Sequence, residues 1–265
     1  MSNISIKSYD TLSDLEKMSL VDFSYSRIDT YNQCPAKYFY SYISKEPRQF
    51  APAAVLGNIV HEVFENTLEN DSELDLDLLK SEYNTTIPKY DPSNQIPTEL
   101  LDAGTTILEE FYDTHYDEDF HIYAKELGFE IIVGSYVIRG FIDRVDMYDD
   151  LIHIIDYKTG KWEVSNKDIP TNLQLGIYAL AVSHLFPGKK VYAELYYLRS
   201  GRRKGHEFSE QELEDVKDRL IESMYNIVHD TNYLPTANTR ICSFCDHAKS
   251  GACGTGVFRN SKRYK

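Results

Sequence analysis

Two short stretches carry the residue types best suited to chemistry. They are "GFIDRVD", with Asp143, and "IIDYKTGK", with Asp156, Tyr157 and Lys158. Asp143 is expected to end one strand, and Asp156 lies thirteen residues later, near the end of the next. Side chains two apart on a strand share a face, so Asp156 and Lys158 project together. If the two strands are neighbours, Asp143 joins them at one end of a sheet. A hard divalent cation takes carboxylate and carbonyl oxygens, and the backbone carbonyl of Tyr157 stands among them. Lys158 would then orient or activate an attacking water, or offset charge developing on a phosphate. Taken alone, "DYK" also fits an exposed strand end with salt-bridged charges, so the flanking segments matter.

The four cysteines form a second group. Cys34 sits in "TYNQCPAKYF", and Cys242-x2-Cys245-x7-Cys253 lies more than two hundred residues later. The start of the chain lacks the basic and apolar stretches of a secretory signal, which places the expectation in the cytoplasm. In a reducing compartment cysteines read as metal ligands or catalytic groups rather than disulfides. Two sites fit: zinc, with Cys34 or His247 as fourth ligand, or an iron–sulfur cluster on four thiolates. The spacing does not separate them.

The elements that must position these groups follow from periodicity. "SYSRIDTYNQCPAKYFYSYI" reads as helix, capped by Ser24 or Ser26 and broken at Pro35. "AAVLGNIVHEVFENTLE" carries apolar residues at helical spacing, and further helices are expected over 74–87 and 97–117, with "IPKYDPSNQIP" between them. "HIYAKELGFEIIVG" and "YVIRGFIDRVDMYDD" read as a meander, and "LIHII" as a central strand buried on both faces. "TNLQLGIYALAVSHLF" is helical and "KKVYAELYYLRSG" a strand. A last helix opens with Ser209 and Glu212 at capping-box spacing. The expectation is an α/β fold with an N-terminal helical elaboration. No repeat or linker divides the chain. Its organisation is expected to be an extension over 1–23 and one domain over 24–265, with a helical insertion at about 70–119, a core at about 120–232 and a cysteine segment at 240–256.

The net charge of −14 conceals strong segregation. Residues 62–119 hold 17 acidic and 2 basic residues, the pattern of solvated helical faces. Residues 186–206 hold six Lys or Arg against one Glu, and the tail "FRNSKRYK" adds four positive charges. Within the basic stretch, Arg199, Arg202, Arg203 and Lys204 fit either a charged hairpin turn or a phosphate-backbone contact. Of the 21 tyrosines, Tyr31, Tyr38 and Tyr40 flank Cys34. Most are expected in the core, and a few could stack on unpaired bases. The longest apolar runs are too short to span a bilayer, and no GxxxxGK[ST] motif is present, so the chain carries no P-loop motor.

Asp143, Asp156-x-Lys158 and "QLGIY" with Gln174 and Tyr178, preceded by "GNIVHEVF" with His61, resemble the RecB-like branch of the PD-(D/E)XK nucleases. The resemblance implies a restriction-endonuclease-like core: a mixed sheet flanked by helices. It implies that His61, Asp143, Asp156 and the Tyr157 carbonyl hold Mg²⁺ or Mn²⁺, that Lys158 is catalytic, and that Gln174 and Tyr178 hold the site and the DNA. Glu130 matches an acidic position before the meander. "SYSRIDTYNQCPAKYF" with the three later cysteines resembles the iron–sulfur members of the group: the AddB nuclease domain, CRISPR-associated RecB-like exonucleases and eukaryotic exonuclease five. This implies a 4Fe–4S cluster on Cys34, Cys242, Cys245 and Cys253, closing the domain as a clasp, with zinc the alternative. The implied function is a DNA exonuclease acting on ends or single strands in repair, phage DNA processing or CRISPR adaptation. Its partners would be a helicase or CRISPR adaptation proteins, and no membrane. A non-catalytic DNA-end-binding or scaffold protein of a nuclease–helicase complex is the alternative, and the presence of both Asp156 and Lys158 argues against it.

Overall fold

The computed structural model describes residues 21–46, 50–70, 72–236 and 238–254. The chain divides into two units. One, the sheet unit, comprises Ala51–Phe129 and Phe141–Val216; the other, the cysteine unit, is drawn from Met1–Phe50, Glu130–Gly140 and Lys217–Lys265.

The sheet unit begins with helices α3 (Pro52–Thr67), α4 (Leu76–Tyr90) and α5 (Thr98–His115). Asp75 starts α4 by accepting the amide hydrogens of Asp77 at 2.8 Å and Leu78 at 3.2 Å, so an acidic side chain satisfies the orphan donors of the first turn. The helix runs through Pro88 to Tyr90, further than expected. Proline disfavours helix by clashing with the preceding turn and removing a donor, and near a C-terminus few further bonds are lost. Leu56, Val60, Phe64, Leu79, Ile107 and Phe111 from these helices pack on Ile155, Tyr157 and Tyr196 of the sheet.

Strands β2 (Ile122–Val133), β3 (Tyr136–Met147), β4 (Leu151–Lys158), β5 (Lys190–Tyr197) and β6 (Arg202–Glu207) follow. In the sheet unit β3 pairs antiparallel with β4, β4 parallel with β5, and β5 antiparallel with β6. The central place of β4 matches the buried apolar run that marks it. Parallel neighbours need a crossover, supplied by α6 (Leu173–Leu185), which is buried continuously from Leu175 to Val182. Asn172 fixes the start of α6 by accepting the Leu175 amide at 3.0 Å. α7 (Glu210–His229) opens on the expected capping box: the Ser209 amide donates to Glu212 at 2.8 Å and the Glu212 amide to the Ser209 hydroxyl at 3.3 Å.

One expectation is corrected: Asp143 does not end its strand, since β3 runs on to Met147. The basic stretch that fits a charged hairpin turn does hold the turn between β5 and β6, and its last residues open β6, where Arg203 pairs with Glu194 of β5.

The cysteine unit contains β1 (Val21–Phe23), at the end of the expected N-terminal extension, parallel to residues 136–138 of β3. Ser24 caps α1 (Tyr25–Gln33); α2 (Pro35–Tyr38) restarts at Pro35 and ends in a π-helical turn, Phe39–Ile43. The short helices α8 (Thr239–Ser243) and α9 (Asp246–Lys249) carry two of the later cysteines or their flanks. The basic tail from residue 258 and residues 1–20 of the expected extension lie outside the described residues. Among the described residues, no helix is long and apolar enough to cross a membrane.

Candidate active site

The antiparallel register of β3 and β4 pairs Arg144 with Ile155. One step further along the same register, Asp143 stands opposite Asp156. The Tyr157 amide donates to Asp143 Oδ2 at 2.7 Å, tying the first carboxylate to the backbone of the motif. On β4, Asp156 and Lys158 share a face and form an ion pair, and Asp156 is only 2% exposed. From the first turn of α6, Gln174 accepts from Lys158 Nζ at 3.0 Å and donates to Asp156 Oδ1 at 2.8 Å. It also donates to the Tyr178 hydroxyl at 2.9 Å, one helical turn on. One amide thus orients both the lysine and the buried carboxylate.

Helix α3 brings His61 to the same place. His61 Nε2 donates to the Tyr157 carbonyl at 2.9 Å, and Nδ1 lies 3.4 Å from Asp143 Oδ1. The approach of α3 depends on Gly57, where a side-chain carbon would come within 3.2 Å of the Thr159 hydroxyl. The glycine therefore lets the helix approach Thr159, just past the end of β4.

The structure adds a residue that sequence reasoning missed. Glu126, His61 and Asp143 each offer a ligand atom, and these atoms lie within 4.8 Å of one another. Glu126 has φ +46° inside β2, the left-handed region that a non-glycine residue seldom enters. Such a residue in a strand re-aims side chains and breaks the alternation on which a sequence reading relies. Glu130, the acidic residue singled out from sequence, is paired instead with Arg139 Nε at 2.8 Å.

The electrostatics reflect crowded carboxylates. Burial pushes Asp156 up, with Lys158 opposing and Asp143 reinforcing the shift. Burial and Asp143 likewise raise Glu126. At His61 burial lowers the pKa, but the Asp143 hydrogen bond and the Asp143 and Asp156 charges outweigh it and lift the imidazole to about 9. Like charges held close, with an imidazole and a carbonyl oxygen among them, form a donor set suited to a hard or borderline divalent cation.

Behind the site, Arg144 is buried, donates to Asp146 at 2.7 and 2.6 Å, and lies over the Phe120 ring at 4.3 Å. The basic stretch after β5 is largely engaged within the unit. Arg199 donates to the Thr159 carbonyl at 2.6 Å, and Arg203 to Glu194 at 2.7 Å. Lys204 donates to the Val164 carbonyl at 2.8 Å, and Arg202 lies 3.4 Å from Glu163.

A model of the PD-(D/E)XK nuclease superfamily matches residues 22–250, which contain every residue of this site. The chain belongs to the PD-(D/E)XK nuclease superfamily. Within the superfamily, it is 29% identical over 217 residues to one of the subunits of the ATP-dependent helicase/deoxyribonuclease of Carboxydothermus hydrogenoformans, covering 66% of this chain and 20% of that protein. It thus spans about a fifth of the length of that relative. It is 24% identical over 277 residues to the Gene 69 protein of Mycobacterium phage L5, covering 84% of this chain and 93% of that one. The fold matches the crystal structure of a candidate exonuclease from Eubacterium rectale with a TM-score of 0.57 at 12% identity, over 92% of both chains.

In the cysteine unit, Cys34, Cys242 and Cys245 are buried and none of the four cysteines is in a disulfide. Cys34 Sγ accepts the Thr236 amide at 3.4 Å, and Cys242 and Cys245 pack with Ala248. Among the described residues, no three cysteine sulfurs lie within 4.8 Å of one another. His247, the alternative fourth ligand, lies 3.1 Å from the Ser41 hydroxyl. Tyr31 donates to Asp230 at 2.8 Å and Tyr40 to the Ala252 carbonyl at 2.8 Å, so both brace this unit.

Proposed function

We propose that the protein is a divalent-metal-dependent deoxyribonuclease acting on DNA ends or single strands, in partnership with a helicase. The observation that carries this reading is the convergence of His61, Glu126, Asp143, Asp156 and the Tyr157 carbonyl around a lysine held by Gln174. These residues fit Mg²⁺ or Mn²⁺. Bound there, such a cation supplies Lewis-acid polarisation of a phosphoryl oxygen and eases ionisation of the attacking water.

The chain's own groups do the rest. The Lys158 side chain is 32% exposed where Asp156 is buried, and its ammonium would offset charge developing on the phosphate. Gln174 orients both members of the ion pair, its carbonyl accepting from Lys158 and its amide donating to Asp156. The Asp143 carboxylate is fixed by the Tyr157 amide, so its other oxygen, which faces His61 Nδ1 at 3.4 Å, keeps its direction. In hydrolysis the water oxygen bonds to phosphorus, the phosphorus–oxygen bond to the leaving nucleoside breaks, and that oxygen takes up a proton.

Part of this reading is a 4Fe–4S cluster on Cys34, Cys242, Cys245 and Cys253, which rests on the resemblance of these cysteines to those of the iron–sulfur nucleases, with zinc the alternative. Iron and acid-labile sulfide content, with the visible spectrum, tests this part alone; a colourless, zinc-replete protein overturns it. The nuclease reading is tested with 5′- and 3′-labelled single and double strands in Mn²⁺. Shortening from an end supports it, and binding to ends without degradation would instead favour a scaffold role.

A further inference from the structure

We infer that Trp162 is a stacking platform for an unpaired base of the substrate, which makes single-stranded DNA, or a frayed end, the form the site takes. The inference rests on the nuclease reading above and adds to it the substrate's strandedness.

Trp162 is the chain's single tryptophan, and at 82% exposure it is the most exposed large apolar side chain among the described residues. Tryptophan is highly buried on average, so an indole left in water calls for a reason. It lies four residues beyond Lys158, so its Cα is within about 14 Å of the lysine's even along a fully extended chain. That is within a few nucleotides of the phosphate at which the lysine would act.

The segment bearing the indole is held at several points. Arg199 donates to the Thr159 carbonyl at 2.6 Å. The Val164 amide donates to the Tyr197 hydroxyl at 2.8 Å, and Lys204 to the Val164 carbonyl at 2.8 Å. Glu163, next to the indole, accepts from Ser200 at 2.8 Å and pairs with Lys204 at 2.9 Å. Residues 159, 163 and 164, on either side of the indole, are thus tied to the β5–β6 hairpin, and Arg199, Arg202 and Lys204 are engaged in holding them. Holding the backbone on both sides of Trp162 reduces the entropy lost when a flat ligand stacks on its ring.

The surroundings favour a nucleic acid over another flat or apolar partner. Lys158, part-exposed, and Lys161, exposed, precede the indole by four residues and one, and both carry the charge that phosphates flanking a stacked base would meet. Gly160, between them, has open space where a side chain would project. Within an intact duplex the bases are paired and stacked on each other, so away from the two terminal pairs only an unpaired base can offer its face to the ring. Stacking of this kind tolerates any base.

Because the chain has one tryptophan, its own fluorescence reads the contact directly. The full-length protein is titrated in EDTA, which prevents cleavage, with a 12-mer of thymidine, a blunt duplex and an abasic 12-mer. Binding is followed in parallel by anisotropy of labelled strands. The thymidine strand should quench the emission saturably, while the duplex and the abasic strand should not. Trp162→Ala should weaken binding of the thymidine strand about 5- to 150-fold, and Trp162→Phe should keep most of the affinity. Binding of the thymidine strand with unchanged emission and equal affinity in Trp162→Ala would overturn the stacking role while leaving the nuclease reading in place. Failure of every DNA to bind, together with no degradation in Mn²⁺, would remove both.

Discussion

Replacing Glu126 by glutamine should reverse the sign of its effect on stability when the metal is added. Without metal, Glu126 and Asp143 face each other with ligand atoms no more than 4.8 Å apart, and His61 offsets part of the charge. At an effective dielectric near 20, two unit charges at that separation repel by about 3 kcal/mol. Partial exposure and the imidazole cut this to roughly 1 kcal/mol, which corresponds to about 2–4 °C in melting temperature for a chain of this size. Metal-free Glu126→Gln should therefore melt a few degrees above the parent. With Mn²⁺ at a hundred times its dissociation constant, the parent gains about 2.7 kcal/mol. That amounts to a rise of about 5–11 °C. The variant, lacking one anionic ligand, should gain clearly less at the same concentration. The assay is thermal unfolding of both proteins in EDTA and across a Mn²⁺ titration. An equal Mn²⁺-induced rise in the two proteins would refute the assignment of Glu126 to the metal group.

Other outcomes follow from the same geometry. Gln174→Ala removes the amide that orients Lys158 and Asp156, and should lower kcat about 10- to 100-fold with little change in DNA affinity. Cys34→Ser should abolish the visible absorbance and lower the melting temperature, while Mn²⁺ affinity at the sheet unit stays as in the parent. Glu194→Gln should destabilise by about 3 kcal/mol in urea unfolding, because it leaves the part-buried Arg203 without its counter-charge. Burial opposes ionisation of Glu194, but the His153 hydrogen bond and Arg203 outweigh it and hold its pKa below 4.5. A depressed carboxylate contributes stability above its unfolded pKa and loses it as the pH falls through the folded value. Parent and variant should therefore converge in stability as the pH drops below about 4.5, the ordinary carboxylate range. A gap that stays constant down to pH 3 would contradict this.

The parts of the site that follow regular geometry were legible in the sequence. The period of two on β4 places Asp156 beside Lys158, and the helical period of α6 places Gln174 beside Tyr178; both pairs meet as expected. The buried run "LIHII" gives the central strand because such a strand needs apolar side chains on both faces. What escaped was irregular or tertiary in origin. Glu126 reaches the site through a left-handed residue within β2, which no alternation rule can anticipate. β6 is made of "RRKGHE", whose charges are satisfied by Glu163, Glu194 and Glu212 elsewhere in the chain. β1 is three residues long, too short for any periodicity to register. The role of Gly57 lies in the approach of α3 to Thr159, a contact between segments about a hundred residues apart. The cysteines are the converse case: their spacing suggests a metal site, but the spacing does not separate an iron–sulfur cluster from zinc.

The most direct test compares the parent with Asp156→Ala on a labelled single strand, in Mn²⁺ and in EDTA. Asp156 is buried, paired with Lys158 and bonded to Gln174, and its removal should disable both the metal group and the lysine. The account predicts degradation by the parent in Mn²⁺ alone and a loss of at least about a hundredfold in the variant. Degradation by Asp156→Ala at the parent rate would contradict it.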